Sequence, residues 1–283
     1  MQISEDIILK SGYAQLAVRL YARPEAETVI LLHGGPGVPD EMTEVREFLA
    51  EYLQVITFDQ RGTGPDKCGR CTFSMAEYMD DINCIAANFN LDRFHLFGHS
   101  WGGLYAQLYA REFPGRIASL FLCSPGSGTG KIWRQTEKEV YRYNKSRSTI
   151  GEWLIMGFNA LLGALGSDRA YRRLFRQIIL NYHKGYDVPP PDPDKLAKIN
   201  SRVALETRRN IKHHPVLEVF GKTSYPVMIT YGQSDAYGDS KDHVYERFPQ
   251  ASSAIIPDCG HTPWKHNWNS FKKILGEFYG VPP

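Results

Sequence analysis

Gly98-His99-Ser100-Trp101-Gly102 matches G-x-S-x-G, between an apolar strand-like run and a helical one. Such a turn must reverse sharply and hold the serine in strained backbone, with small residues on either side. Ser100 then projects near a helix N-terminus, where amides and the helix dipole favour negative charge. A serine hydroxyl is a poor nucleophile alone; it needs a base, and the base an orienting carboxylate. In this arrangement the chain order is serine, acid, histidine. Asp235, in Gly232-Gln233-Ser234-Asp235, and His261, in Gly260-His261-Thr262-Pro263, supply that order. Asp239, Asp258, His99, His243 and His266 compete less well. The aspartates sit further out or in a loop, His99 adjoins the serine, and the other histidines read as solvated helix residues. Acyl transfer also needs about two donors for an oxyanion. The backbone N–H of Trp101 and that of Gly35, in His33-Gly34-Gly35-Pro36-Gly37, are the candidates.

The elements that must position these groups alternate. Asp6–Lys10 and Tyr13–Tyr21 read as a hairpin about Ser11-Gly12. Thr28–Leu32, Val55–Phe58, Phe94–Phe97 and Ile117–Cys123 read as buried strands. Helices are expected at Thr43–Tyr52, at Ser74–Asn88 behind a Ser74/Glu77 capping box, and at Gly102–Glu112. That rhythm implies a parallel sheet covered on both faces. After Gly126-Ser127-Gly128-Thr129-Gly130 it breaks into helical periodicity as far as about Phe220. It resumes with a strand at Pro226–Tyr231, a helix at Ser240–Phe248, a strand at Ser253–Ile256 and a last helix after His261. The expected organisation is a core at 1–126 and 222–283, with a helical cap inserted at 127–221.

With 283 residues, 42% hydrophobic and 23% charged, the chain is composed like a globular protein large enough for one sizeable core. A formal net charge of +2 gives no case for nucleic acid. No apolar run reaches the ~18 residues of a membrane span, and the first ten residues do not read as a secretory leader. The charge is unevenly spread. Residues 131–220 hold 17 Lys plus Arg against nine Asp plus Glu, and the remainder 16 against 22. A basic cap is a solvated face, or a surface that steers anionic substrates. Five cysteines, an odd and sparse set, favour a reducing compartment, hence a cytoplasmic protein. Cys68-Gly69-Arg70-Cys71 has no second pair at metal spacing, so it reads as a loop with two thiols or a bridge.

His33–Gly37, Asp59-Gln60-Arg61-Gly62-Thr63-Gly64, Gly98–Gly103, Asp235 and His261 together resemble an α/β-hydrolase of the proline iminopeptidase-like group. The similarity spans residues 24–125 and 223–280. It implies an eight-stranded, mostly parallel sheet, a helical cap, no metal and no cofactor. It makes Asp59–Gly64 a structural turn, with Asp59 and Arg61 bracing neighbouring loops. It also implies cap carboxylates that hold a substrate's amino terminus, yet Glu137, Glu139, Glu152, Asp168, Glu206 and Glu218 show no pattern that maps onto that role. Trp101, Trp133, Tyr141, Tyr143, Trp153 and Phe158 are candidates for a pocket lining or for cap core. Three readings follow: a serine hydrolase releasing small N-terminal residues such as proline from a short peptide, a carboxylesterase or lactonase acting on a small neutral or anionic acyl substrate, or a receptor on the same scaffold with little turnover.

Overall fold

The protein is described by a computed structural model covering residues 5–63 and 69–282. Strands β1 (Glu5–Ser11) and β2 (Ala14–Tyr21) form the opening hairpin. β3 (Thr28–Leu32) is buried along its whole length. Then come α1 (Thr43–Ala50), β4 (Gln54–Phe58), α2 (Met75–Asn88), β5 (Phe94–His99), α3 (Trp101–Glu112) and β6 (Ile117–Cys123). Five helices follow without a strand: α4 (Lys131–Arg147), α5 (Ile150–Ala164), α6 (Asp168–His183), α7 (Pro193–Ala197) and α8 (Ser201–His213). The chain closes with β7 (Val227–Gly232), α9 (Asp242–Arg247), β8 (Ser252–Ile256), α10 (Pro263–His266) and α11 (Trp268–Tyr279).

The eight strands make one sheet in the order β1-β2-β4-β3-β5-β6-β7-β8. Pairing is antiparallel only at β1–β2 and β2–β4; the six strands from β4 to β8 run parallel. This is the mostly parallel α/β sheet that the buried strands imply. Both faces are covered. Tyr78, Ile82, Leu104 and Tyr105 pack on one side, from α2 and α3; Phe48, Leu49, Phe271 and Leu275 pack on the other, from α1 and α11. Parallel strands bring their carboxyl ends to one edge, and loops after β3, β5, β6, β7 and β8 meet there.

Two polar clasps hold this edge. Ser74 and Glu77 form the expected capping box at the start of α2. One turn further on, buried Asp81 takes two hydrogen bonds from Arg61, at 2.8 and 2.7 Å. Arg61 also donates to the carbonyls of Thr72 and Glu77, so the turn after β4 is tied to α2. Arg19 pairs with Asp59 at 3.0 Å. The second clasp is Arg247 on α9, only 2% exposed. It donates to Gln107 on α3 and to the carbonyls of Ser127 and Leu217. Those carbonyls mark the two places where the chain passes between the sheet and the helices α4–α8. Burial lowers the Arg247 pKa to about 10.

Cys71 is buried and disulfide-bonded, while Cys84, Cys123 and Cys259 are free. Cys68 lies outside the described residues. No helix among the described residues is long and apolar enough to cross a membrane.

Candidate active site

β5 runs to His99 and α3 begins at Trp101, so Ser100 alone makes the turn. Its backbone sits at φ 55°, ψ −118°, a region L-residues avoid. The surroundings explain why the chain accepts the strain. A Cβ on Gly98 would overlap the carbonyl of Gly102, and one on Gly102 would overlap those of Leu32 and His33. Strand, helix and the end of β3 therefore touch through bare backbone. The Ser100 N–H donates to Cys123 O at 3.1 Å, and the Ser100 carbonyl accepts from Gly126 N at 2.8 Å.

The three separated side chains meet. His261 Nε2 lies 3.0 Å from Ser100 Oγ, and His261 Nδ1 lies 2.9 Å from Asp235 Oδ1. Asp235 is held from two further sides, by the Ser124 hydroxyl donating at 2.6 Å and by Tyr237 N donating at 3.1 Å. Burial alone would raise the Asp235 pKa, but the His261 ring and these donors together hold it below the ordinary value. His99 is not solvated and does not reach the serine. Its Nε2–H donates to His261 O at 2.9 Å, and burial pushes its pKa down to about 3, so it stays neutral. His266 departs from the expectation of a solvated helix residue. It accepts from Gly260 N, stacks on Tyr186, and burial lowers its pKa to about 3. Asp239 sits in a 3₁₀ turn and Asp258 in a loop at φ 47°, neither bonded to His261.

The loop after β3 runs against Ser100. A Cβ on Gly34 would come within 3.4 Å of Ser100 Cβ. Gly35 follows at φ 137°, a backbone state that favours glycine. Among the described residues neither Gly35 N nor Trp101 N donates to another backbone carbonyl. For Trp101 this follows from its place in the first turn of a helix. Gln60 spans the two segments: its Nε2 donates to His33 O and its Oε1 accepts from Trp101 Nε1, both at 2.9 Å. Gln60, in the turn after β4, thus touches both segments that carry these amides; Gly64 lies outside the described residues.

Two features of the site escaped the sequence. The hydroxyl of Tyr237 lies 3.1 Å from Ser100 Oγ, in a fully buried position beside the His261 ring. Its only signal in the sequence is its place two residues after Asp235. The second concerns carboxylates. Ser100 and His261 open on a cavity of about 200 Å³, roofed by α4, α6 and α8 and walled mainly by apolar and aromatic groups. Each of the six acids singled out in the sequence is already engaged. Glu137 reaches the cavity but is paired with Arg208 and Lys212 at 2.9 and 2.8 Å. Glu139 accepts from Gly238 N and Ser240 N, tying α4 to the loop after β7. Glu152 caps α5, Asp168 accepts from Ser201 N, Glu206 pairs with Arg202 and Glu218 with Arg111. Among the described acids that line the cavity, the one without such a partner is Glu41, in the loop after β3 rather than in α4–α8. It lines the cavity, and burial raises its pKa. Of the aromatic candidates, Trp133 lines the cavity with Ser100, whereas Phe158 is 62% exposed and Tyr141 56%.

Comparison with known proteins agrees with this architecture. Residues 27–264 match the model of the alpha/beta hydrolase fold family. The chain is 31% identical over 274 residues to the proline iminopeptidase of Clostridioides difficile, covering 88% of each. It is 31% identical over 297 residues to that of Lactobacillus helveticus, covering 98% of each. Among solved structures it resembles a Mycobacterium smegmatis proline iminopeptidase with a TM-score of 0.67 at 18% identity, covering 98% of each chain. The fold, the placement of the glycine loops and these relatives lead to one conclusion: the chain belongs to the α/β-hydrolase family, as a proline iminopeptidase-like hydrolase.

Proposed function

We propose that the protein is a serine hydrolase working through an acyl-enzyme on Ser100. The observation that carries this reading is the relay Ser100–His261–Asp235, with contacts of 3.0 and 2.9 Å. His261 Nε2 takes the proton of Ser100 Oγ as the oxygen attacks a carbonyl carbon. Asp235 keeps the proton of His261 on Nδ1 and stabilises the imidazolium. The N–H groups of Gly35 and Trp101 receive the developing oxyanion. His261 then protonates the leaving group, activates a water for deacylation and returns the proton to Ser100. The Tyr237 hydroxyl, donating to Ser100 Oγ, fixes the rotamer from which attack starts.

The substrate reading is release of a small N-terminal residue, proline among them, from a short peptide. Residues 127–221 act as the cap that encloses it. Glu41 is the anchor for the substrate's cationic amino group. Its pKa is already raised by burial, so an ammonium partner would favour the ionised form. The relatives named proline iminopeptidase support the same class. The basic cap speaks less for an anionic substrate than its composition suggests, since Arg208 at the cavity already faces the Glu137 carboxylate. Ester or lactone cleavage is the second reading, favoured by the apolar walls.

A fluorophosphonate should label Ser100, mapped by peptide mass. Labelling elsewhere, or none, ends the proposal. Proline p-nitroanilide and a p-nitrophenyl ester, assayed side by side, separate the substrate readings. Glu41→Gln should raise KM for the amide at least about tenfold, as loss of a charge-assisted hydrogen bond implies, while sparing the ester. An unchanged amide KM removes Glu41 from the binding site. Tyr237→Phe should lower kcat about tenfold with KM held, the size of one net hydrogen bond.

A further inference from the structure

We propose that His183, the last residue of α6, donates a hydrogen bond from Nδ1 to the carbonyl oxygen of the residue that follows the scissile bond, so that peptides are favoured over simple amides. This rests on the peptidase reading and names the leaving group that the site takes.

Two residues that line the cavity each bury a side-chain nitrogen without a hydrogen-bond partner among the described residues: Trp133 at Nε1 and His183 at Nδ1. A buried polar group left unpaired is costly, so each is a place where a ligand atom gains affinity. They belong to different sides of the site. Trp133 stands on the β6 side, where a Cβ on Gly126 would come within 3.3 Å of its ring. His183 stands on the side of His261. Its Nε2 lies 3.3 Å from the hydroxyl of Thr262, the residue after His261, and the ring of the preceding Tyr182 lies 5.0 Å from the His261 ring.

A relay decides which nitrogen of His183 carries the hydrogen. Gly260 N–H donates to His266 Nδ1 at 3.0 Å, so that nitrogen is an acceptor. Burial lowers the His266 pKa to about 3, so the ring is neutral and its hydrogen sits on Nε2. From there it donates to Thr262 Oγ1 at 3.2 Å. Among the described residues the Thr262 hydroxyl hydrogen has no acceptor other than His183 Nε2. His183 is neutral too, since burial first and Lys265 second lower its pKa to about 4. A neutral imidazole that accepts at Nε2 carries its hydrogen on Nδ1. The orphaned nitrogen is therefore a donor in want of an acceptor oxygen. His266 is itself held by stacking on Tyr186, so the relay is set before a substrate arrives.

The chemistry at Ser100 says which oxygen fits. His261 hands its proton to the leaving amine, so the departing part of the substrate lies on the His261 side. In a peptide, the first acceptor beyond that amine is the carbonyl of the same residue. An alkylamide has none there.

The test compares kcat/KM for prolyl-glycinamide and proline ethylamide with the full chain. The two leaving amines differ in intrinsic reactivity, so the quantity read is the change in their ratio between wild type and variant. His183→Leu, or His183→Phe where a ring is needed for packing, should lower the ratio at least about tenfold, the size of one net hydrogen bond. His183→Asn, whose amide nitrogen stands where Nδ1 does, should keep the larger part of it. A purely structural role slows both substrates alike and leaves the ratio where it was. A ratio unchanged in both apolar variants overturns the proposal, and so does one that falls as far in His183→Asn as in His183→Leu. Either result leaves the peptidase reading standing. Cleavage of neither amide by wild type, while a fluorophosphonate still labels Ser100, overturns the peptidase reading and this proposal with it.

Discussion

The sheet edge and the helical insertion solve the problem of holding position in opposite ways. At the edge, backbone meets backbone: Gly98 and Gly102 leave no room for a side chain, and Arg61, Gln60 and Asp235 are each bonded on several sides. In the insertion, helices are held by end caps and by pairs between partly exposed side chains, such as Thr149 with Glu152 and Arg202 with Glu206. The charges divide likewise, with a net acidic remainder around a basic stretch at 131–220. The difference teaches where tolerance lies. Groups that must keep sub-ångström geometry sit where any change in volume is felt. Groups that shape the cavity sit on elements that can shift without disturbing the relay.

The sharpest way to break this contrast is at Ser100. Ser100→Ala should lower kcat by about 10⁴-fold or more, with an unchanged melting temperature. Wild-type turnover in that variant would remove the site from the sheet edge altogether. Next comes the buried brace. Asp81→Asn leaves the Arg61 guanidinium, 2% exposed, with only the partly exposed Glu77 as counter-charge, and should cost about 3 kcal/mol in denaturant unfolding. A loss under 1 kcal/mol would mean that the edge is no more rigid than the cap.

Acid should act on the edge too. The folded state holds His99 neutral, with a pKa near 3, whereas the unfolded chain protonates it near 6.5. Below pH 6.5 the unfolded state binds the extra proton, so stability falls as pH drops towards 4. The slope from this group is about 1.4 kcal/mol per pH unit. The lowered Asp235 pKa adds a loss of the same sign only once pH approaches the ordinary carboxylate range. His99→Gln should flatten the slope by about one proton, measured as unfolding free energy against pH. The smallest effect belongs to the insertion: Thr149→Ala removes one exposed cap and should cost about 1 kcal/mol, with kcat unchanged.

What local residue types dictate was legible in the sequence. Thr28–Leu32 is a strand from end to end, and Ser74 with Glu77 caps α2. The order Ser100, Asp235, His261 sets three groups after β5, β7 and β8, because parallel strands expose their carboxyl ends together. Those are short-range facts, and turn chemistry and strand burial are written in neighbouring residues. Composition points to the acids of residues 131–220 for a free carboxylate, since it counts charges without showing which are spent. Only the folded chain pairs Glu137 with Arg208 and Lys212 and leaves Glu41 facing the cavity. Likewise, only the fold brings the hydroxyl of Tyr237 to Ser100, across 137 residues of chain, and leaves Leu154 and Phe158 of α5 exposed. The sequence by itself determined the sheet and the order of the candidate residues along its edge. The tertiary structure decided which charges remain unpaired and which apolar faces stay uncovered. Pairing and burial depend on neighbours distant in sequence, and no local pattern encodes them.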